Sequence, residues 1–471
     1  MNADRENVFD VAVIGAGVVG CAIARRFTLD GARVVVVEKA ADVLDGASKG
    51  NSAILHTGFD APEGSVEVRC MKEGYRLYRE IRQRLNLPLI ESGALVLAWN
   101  REQLSELPSL MERAHANGVT DVEELSRAQI LKLEPNLSEQ VMGGFRVPGE
   151  SLIDPWSSAH AYLLQALENG AELRRNSEVT GGSFSNGRWR IETTGGAIEA
   201  GTVVNAAGLF GDVVDQRLTG KSWYQIRPRK GQFVVYDKPA AALADHILLP
   251  VPTKTTKGIV VCRTAFGNLL VGPTAEEQED RNHALLDRET MLGLIAKGEE
   301  VIPALRSHEV TAIYAGLRPA TEEKDYRIRS DLAENYICVG GIRSTGLSAA
   351  LGIADHVAEI SGREARPLAD PVWPQMPMLC EYESRDWQEA GNGGVVCLCE
   401  LVTRREIENA MTGPLAAGSM GGLKRRTRVT MGRCQGFHCS AELARMTEGR
   451  LGQPMLAQTC GKKTGREKTS Q

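Results

Sequence analysis

DVAVIGAGVVGCAIARRFTLDGARVVVVE, residues Asp10 to Glu38, decides how this chain is read. Val11 to Ile14 is a short β-branched run of the kind that fills a buried parallel strand. Gly15, Gly17 and Gly20 follow in G-x-G-x-x-G spacing, a helix from Cys21 to Leu29 ends at Gly31, and Val34 to Val37 is a second buried strand. Each glycine has its own physical role. Gly15 makes the tight turn, Gly17 lets backbone approach a pyrophosphate, and Gly20 packs helix against strand. The helix N-terminus offers free N–H groups to phosphate. Glu38 can accept hydrogen bonds from a ribose hydroxyl and would repel a phosphorylated one. Strand, helix, strand and acid together imply dinucleotide binding.

Around this unit lie 471 residues, enough for two or three domains. A hydrophobic content of 42% with 24% charged residues describes an ordinary globular chain, and a net charge of −5 argues against nucleic acid as a partner. No apolar run approaches the ~18 residues of a membrane span. The start MNADRENVFD lacks the order of a secretory signal. A cytoplasmic protein is expected, peripheral at the inner membrane if its partner is a quinone.

Downstream of Glu38, the polar, glycine-rich passage Asp45 to Ser65 carries Ser48, Asn51, Ser52 and His56 and suits a loop wrapped around a cofactor. Val66 to Leu85 has helical spacing, Glu91 to Trp99 reads as a strand, and a charged helical stretch runs to about Leu133. A helix is expected to start near Asp154-Pro155. Thr202 to Asp212 reads as a strand entering a small-residue turn at Ala207-Gly208. From Trp223 to Thr274 alternating runs predict an antiparallel sheet, with Lys254, Lys257 and Arg263 as solvated charges. Tyr336 to Ile360 is again strand, glycine turn and helix, so the nucleotide domain is completed by non-contiguous segments.

Ten cysteines in such a chain are not a disulfide framework. Six, Cys460 among them, are scattered as small apolar residues, but Cys397, Cys399, Cys434 and Cys439 cluster as C-x-C and C-x4-C. Thr403 and Ser440 can cap helices beside them, and Lys424, Arg425, Arg426 and Arg433 would favour thiolate. Four thiolates suit a structural zinc or an iron–sulfur cluster, and spacing alone does not choose. A redox cofactor elsewhere in the chain favours the cluster.

The glycine-rich start, GNSAILHTGF, IRPRKGQFVVYDK, VPTKTTKGIVV, GNLLVGPTAE, AGLRPAT and GIRSTGLSAALGIA together resemble the D-amino-acid-oxidase-type flavoproteins over about residues 9–361. Within that superfamily they are most similar to anaerobic-type FAD-dependent glycerol-3-phosphate dehydrogenases and to L-2-hydroxyglutarate oxidases. CLCELVTRREIE and RRTRVTMGRCQGFHC resemble the bacterioferritin-associated-ferredoxin-like 2Fe–2S domain over about residues 395–447. The resemblance implies an α/β, two-lobed fold: a Rossmann-like FAD-binding domain, an antiparallel-sheet substrate domain and a small helical 2Fe–2S domain. The FAD-binding segments would be about 8–85, 147–215 and 330–362, and the substrate segments about 86–146 and 216–329. A linker over 367–394, the 2Fe–2S domain over 395–452 and a basic tail over 453–471 complete the expected division.

The resemblance also assigns sites. Gly15, Gly17, Gly20, Glu38, Ser48, Asn51, Ser52, Ala207, Gly208, Gly341, Gly346 and Leu347 would hold FAD, and Cys397, Cys399, Cys434 and Cys439 the cluster. His56 would be the base, with Arg318 and Arg343 as anion clamps or flavin neighbours. The expected function is oxidation of glycerol 3-phosphate or a similar polyol phosphate to the ketone. Electrons would leave through the 2Fe–2S cluster to an acceptor protein or quinone. The alternatives are an L-2-hydroxy-acid or amine/opine oxidoreductase, and a non-enzymatic redox protein that only passes or senses electrons.

Overall fold

The computed structural model describes residues 7–252 and 258–452. Lys254, Lys257, Cys460 and the basic tail from 453 lie outside the described residues.

The fold begins with β1 (Val8–Ile14), α1 (Val18–Leu29) and β2 (Val34–Val37). β1 pairs parallel with β2 on one side and with Ile198–Asn205 on the other. Tyr336–Gly340 extends the sheet beyond Ile198–Asn205, and Glu172–Arg174 beyond β2, both parallel. Arg327–Asp331 closes one edge antiparallel, and the hairpin Val179–Ser185 and Arg188–Thr193 joins Ile198–Asn205. Alternation along β1 and β2 sorts the layers. Val11, Val13, Val34 and Val36 face the helical core built from α1, Pro155–Glu168, Gly346–Ile360 and α2 (Val66–Ile81). Ala12, Ile14, Val35 and Val37 face a second core that holds Trp189, Tyr224 and Tyr336. Asp154 caps the helix Pro155–Glu168 by accepting from Trp156 and Ser157 N–H, with proline at its first position.

The second sheet follows the order Glu276–Glu277, Arg227–Tyr236, Leu269–Gly272, Val260–Arg263, Ile247–Pro250, Ala94–Ala98, Gly143–Val147 and Glu123–Ser126. Val310–Ala320 pairs with Arg227–Tyr236 over their whole length. The sheet is antiparallel except where Ile247–Pro250 runs parallel to Ala94–Ala98. Two expectations shift. Glu123–Ser126 interrupts the helical stretch before Leu133 as an edge strand, because only Leu125 of its four side chains is buried. α2 stops at Ile81 and tightens into a 3₁₀ turn over Gln83–Leu85 before Asn86, whose φ of +55° ends it.

Residues 367–394 carry Pro367, Pro371, Pro374 and Pro377, which hold the backbone extended. The segment runs along the body: Leu368 donates to Leu29, Met376 to Leu85 and Glu381 to Ala265.

The C-terminal module packs Val395–Cys397 and Val402–Thr403 against helices Arg404–Ala410, Met420–Thr427 and Ser440–Thr447. Thr403 and Glu406 form a reciprocal capping box. Ser440 is not a cap: its hydroxyl donates back to Gly436 O at 2.6 Å, since Cys439 already occupies the capping position.

Candidate active site and cysteine centre

A cleft of about 1260 Å³ lies between the two sheets, its floor formed by the carboxyl ends of β1, β2 and Ile198–Asn205. Gly15 has φ +102°, and a Cβ there would stand 2.7 Å from Ala206 O. At Gly20 a Cβ would stand 1.9 Å from Gly15 O, so only glycine lets α1 start this close to β1. Gly17 and Ser48 face each other at the helix start, where the Ser48 hydroxyl accepts from Val18 N–H at 2.9 Å. Glu38 reaches the cleft with its oxygens accepting from Ala16 and Ala40 N–H at 2.8 and 2.9 Å. Burial pushes its pKa up, against those two N–H groups.

Asn51, Ser52, Ala207, Gly208, Gly346 and Leu347 also line the cleft, whereas Gly20 and Gly341 shape turns and are not among its walls. Gly341 has φ +70° at the end of Tyr336–Gly340. Asn51 works on its own loop, with Oδ1 accepting from Ala53 N–H and Nδ2 donating to Ser48 O. That loop is pressed against the second sheet where two glycines cross: Gly50 and Gly316 each lack room for a Cβ against the other's backbone. Two residues on from Gly316 stands Arg318.

Arg318 lines the cleft with its guanidinium over Gly231 and two N–H groups on Thr274 O at 3.2 and 3.3 Å. It has no carboxylate partner among the described residues. Burial, then the charge of Arg229, pushes its pKa down to about 10, so it remains a cation at neutral pH. Arg229 lies directly across the strand pair and is held by Glu277. Like charges opposed in a sheet oppose folding, the sort of local cost met at binding sites. Arg343 lines the same cleft half-buried, its pKa lowered by burial against the attraction of Glu67.

His56 reaches the cleft from the end of a two-residue strand, Ile54–Leu55, paired antiparallel with Ser151–Leu152. That ladder sets His56 beside Glu150, with Nδ1 at 2.7 Å from Glu150 Oε2. Glu150 is fully buried, and its other oxygen accepts from Thr57 N–H at 2.7 Å and Thr57 Oγ1 at 2.8 Å. His56 N–H donates to Ser348 Oγ at 2.8 Å, and Nε2 has no protein partner among the described residues. Sequence reasoning missed Glu150; an acid inside the apolar stretch Val147–Ile153 was the available signal.

In the C-terminal module, Cys397 and Cys439 are buried and Cys399 and Cys434 partly exposed. The thiols interact in two pairs, Cys399 with Cys434 and Cys397 with Cys439, and each pair feels the other's charge. Among the described residues no three His, Cys, Asp or Glu side chains converge as ligands of one metal ion. A single zinc would draw four sulfurs to ~2.3 Å from one point, so two paired thiols on either side fit a binuclear group better. Backbone N–H groups of His438, Gly436 and Phe437 hold the Cys434 thiol below its usual pKa.

The basic residues act elsewhere than expected. Arg426 grips Asp42 at 2.8 and 3.1 Å, Arg425 donates to Val43 O at 3.0 Å, and Arg433 pairs with Asp237. Lys424 lies close enough to Cys439 to feel the charge of its thiolate. Asp42 is 1% exposed and also accepts from Gly418 N–H at 2.8 Å. Arg425 and Arg426 dock the module onto the segment that leads into the cleft loop, and Arg433 ties it to the end of Arg227–Tyr236. Beside them, Arg428 pairs with buried Glu400 and lies 3.9 Å over Phe266, which stacks on Trp156.

Residues 10–360 match the family described as "DAO: FAD dependent oxidoreductase". The chain belongs to that family. Residues 395–448 match the "BFD-like [2Fe-2S] binding domain", so this FAD dependent oxidoreductase carries a second redox module. It is 32% identical to a glycerol 3-phosphate dehydrogenase of Caloramator mitchellensis over 95% of both chains. It is 30% identical to a glycerol 3-phosphate oxidase of Mycoplasma pneumoniae, over 74% of this chain and 94% of that one. Among solved structures it resembles FAD-bound L-alpha-glycerophosphate oxidase from Mycoplasma pneumoniae. There the TM-score is 0.74 at 26% identity, covering 79% of this chain and 99% of that one. The cofactors are FAD and, in the C-terminal domain, a 2Fe–2S cluster in place of the zinc alternative. No helix among the described residues is long and apolar enough to cross a membrane.

Proposed function

We propose that this enzyme oxidises glycerol 3-phosphate, or a similar polyol phosphate, to the corresponding ketone. The observation that carries the reading is Arg318, a buried cation without a carboxylate partner among the described residues, in the same cleft as His56. A guanidinium in that state calls for a bound anion, and phosphate matches its two-pronged donors. The dehydrogenase and oxidase relatives named above support the same substrate.

When bound, FAD supplies the acceptor for the substrate's hydride, and the 2Fe–2S group a one-electron outlet toward a protein or quinone. The Gly15 turn, the α1 N-terminus and Glu38 would hold the dinucleotide; Cys397, Cys399, Cys434 and Cys439 would ligate the cluster. Arg318, with Arg343, fixes the phosphate so that the secondary hydroxyl is presented in one pose. His56 Nε2, free of protein partners among the described residues, takes the hydroxyl proton as the C–H bond is lost and the C=O bond forms. The product leaves as the ketone, with the proton on His56.

Steady-state turnover with a dye acceptor tests the reading, with L-2-hydroxyglutarate and an opine as comparison substrates. Glycerol 3-phosphate should be preferred; no turnover of it at millimolar concentration would overturn the proposal. Arg318→Met should raise KM for glycerol 3-phosphate by roughly 10²-fold or more, the loss of about two charge-assisted hydrogen bonds. A KM within threefold of the parent enzyme would remove Arg318 from the phosphate site.

A further inference from the structure

We infer that Glu150 is the positioning residue of the base, holding His56 in the tautomer that leaves Nε2 able to accept a proton. This deepens the reading above and rests on it for the identity of the substrate, though not for the state of the imidazole.

The geometry divides the two carboxylate oxygens. Oε1 is taken by Thr57, through both its N–H and its hydroxyl, so it cannot turn away. Oε2 is left for His56 Nδ1 at 2.7 Å. Thr57 thus orients the carboxylate and the carboxylate orients the ring, while Ser348 Oγ fixes the His56 backbone. A carboxylate accepts only, so Nδ1 must carry the hydrogen and Nε2 must be the bare nitrogen. The bare nitrogen belongs to the side chain that lines the cleft.

When Nε2 takes the hydroxyl proton, the ring becomes a cation. Glu150, kept dry with 0% exposure, stands against it as a fixed counter-charge. The proton stays on the imidazole and does not pass on to Glu150. Next to Glu150, the Tyr75 hydroxyl from α2 donates to Gly149 O at 2.8 Å and accepts from Arg79, itself paired with Glu91. Neither hydrogen-bonds to His56 among the described residues.

Glu150→Gln preserves shape and can keep its carbonyl oxygen on Thr57. Its amide then faces Nδ1 as a donor, which forces the hydrogen onto Nε2 and removes the base. In the holoenzyme, kcat/KM for glycerol 3-phosphate should fall about 10²–10⁴-fold with KM little changed. Glu150→Asp should recover part of the loss. The substrate-free readout is nitrogen-15 NMR of histidine-labelled full chain, which should show His56 protonated at Nδ1 in the parent and at Nε2 in Glu150→Gln. An unchanged His56 tautomer, or kcat/KM within threefold of the parent, would overturn the inference. If the parent enzyme fails to turn over glycerol 3-phosphate, the proposed substrate falls, and the tautomer measurement still decides the role of Glu150.

Discussion

Replacing His56 by glutamine should lower kcat/KM for glycerol 3-phosphate by about 10²–10⁴-fold, the range contributed by a positioned proton acceptor. The amide can still donate to Glu150, so the buried carboxylate keeps a partner and the fold is spared. What disappears is a ring nitrogen able to accept a proton. FAD content should be unchanged, because His56 makes no hydrogen bond to the Gly15–Glu38 cradle. The loss should therefore appear in kcat and leave KM near the parent value, since the anion clamp at Arg318 is untouched. A loss below tenfold, with normal FAD content, would mean that another group accepts the proton.

A second large effect is expected on stability. Asp42→Ala strips the carboxylate from Arg426, leaving it the carbonyls of Leu415 and Gly422; its side chain is 8% exposed, between the module and the body. Breaking a buried ion pair from one side costs about 3–5 kcal/mol, because the surviving charge stays dry and uncompensated. Arg425 close by lends no help, being a second cation with its own bond to Val43 O. Thermal unfolding should shift down, and limited proteolysis within residues 367–394 should accelerate as the module loosens. The double variant Asp42→Ala, Arg426→Met should regain much of the loss, since removing both charges removes the stranded one. A double variant no more stable than the single one would show that the pair is not what couples the two parts.

The dinucleotide unit was legible because two periodicities and three glycines fall in one short run, each reporting on local backbone. Gly15, with φ +102°, leaves that kind of trace in a sequence. The loop through Ser48, Asn51 and His56 was legible by composition, being too polar for a core and too rich in glycine for an element. Glu150 was not, because it lies 94 residues beyond His56, and a ladder of only two residue pairs brings them together. The docking role of Arg425 and Arg426 was hidden for the same reason. Beside four cysteines they read as cations for thiolates, yet Asp42, the partner of Arg426, lies 384 residues away, and Val43, the partner of Arg425, 382. The amides around Cys434 do part of the work expected of them. Separation along the chain, not the chemistry of the residues, marks what was missed.

The extended stretch from Leu368 to Glu381 is stitched to Leu29, Leu85 and Ala265 along its course, and the module it leads to is clamped at Asp42. Such a stretch has no slack. A domain on a loose tether visits its neighbour by diffusion, at a frequency set by tether length and solvent friction. Here the span between the cleft and the four thiols is fixed like that between two posts of one frame. If the proposed route from flavin to cluster operates, its electrons would have no search to wait for, and medium viscosity would leave their pace unaltered.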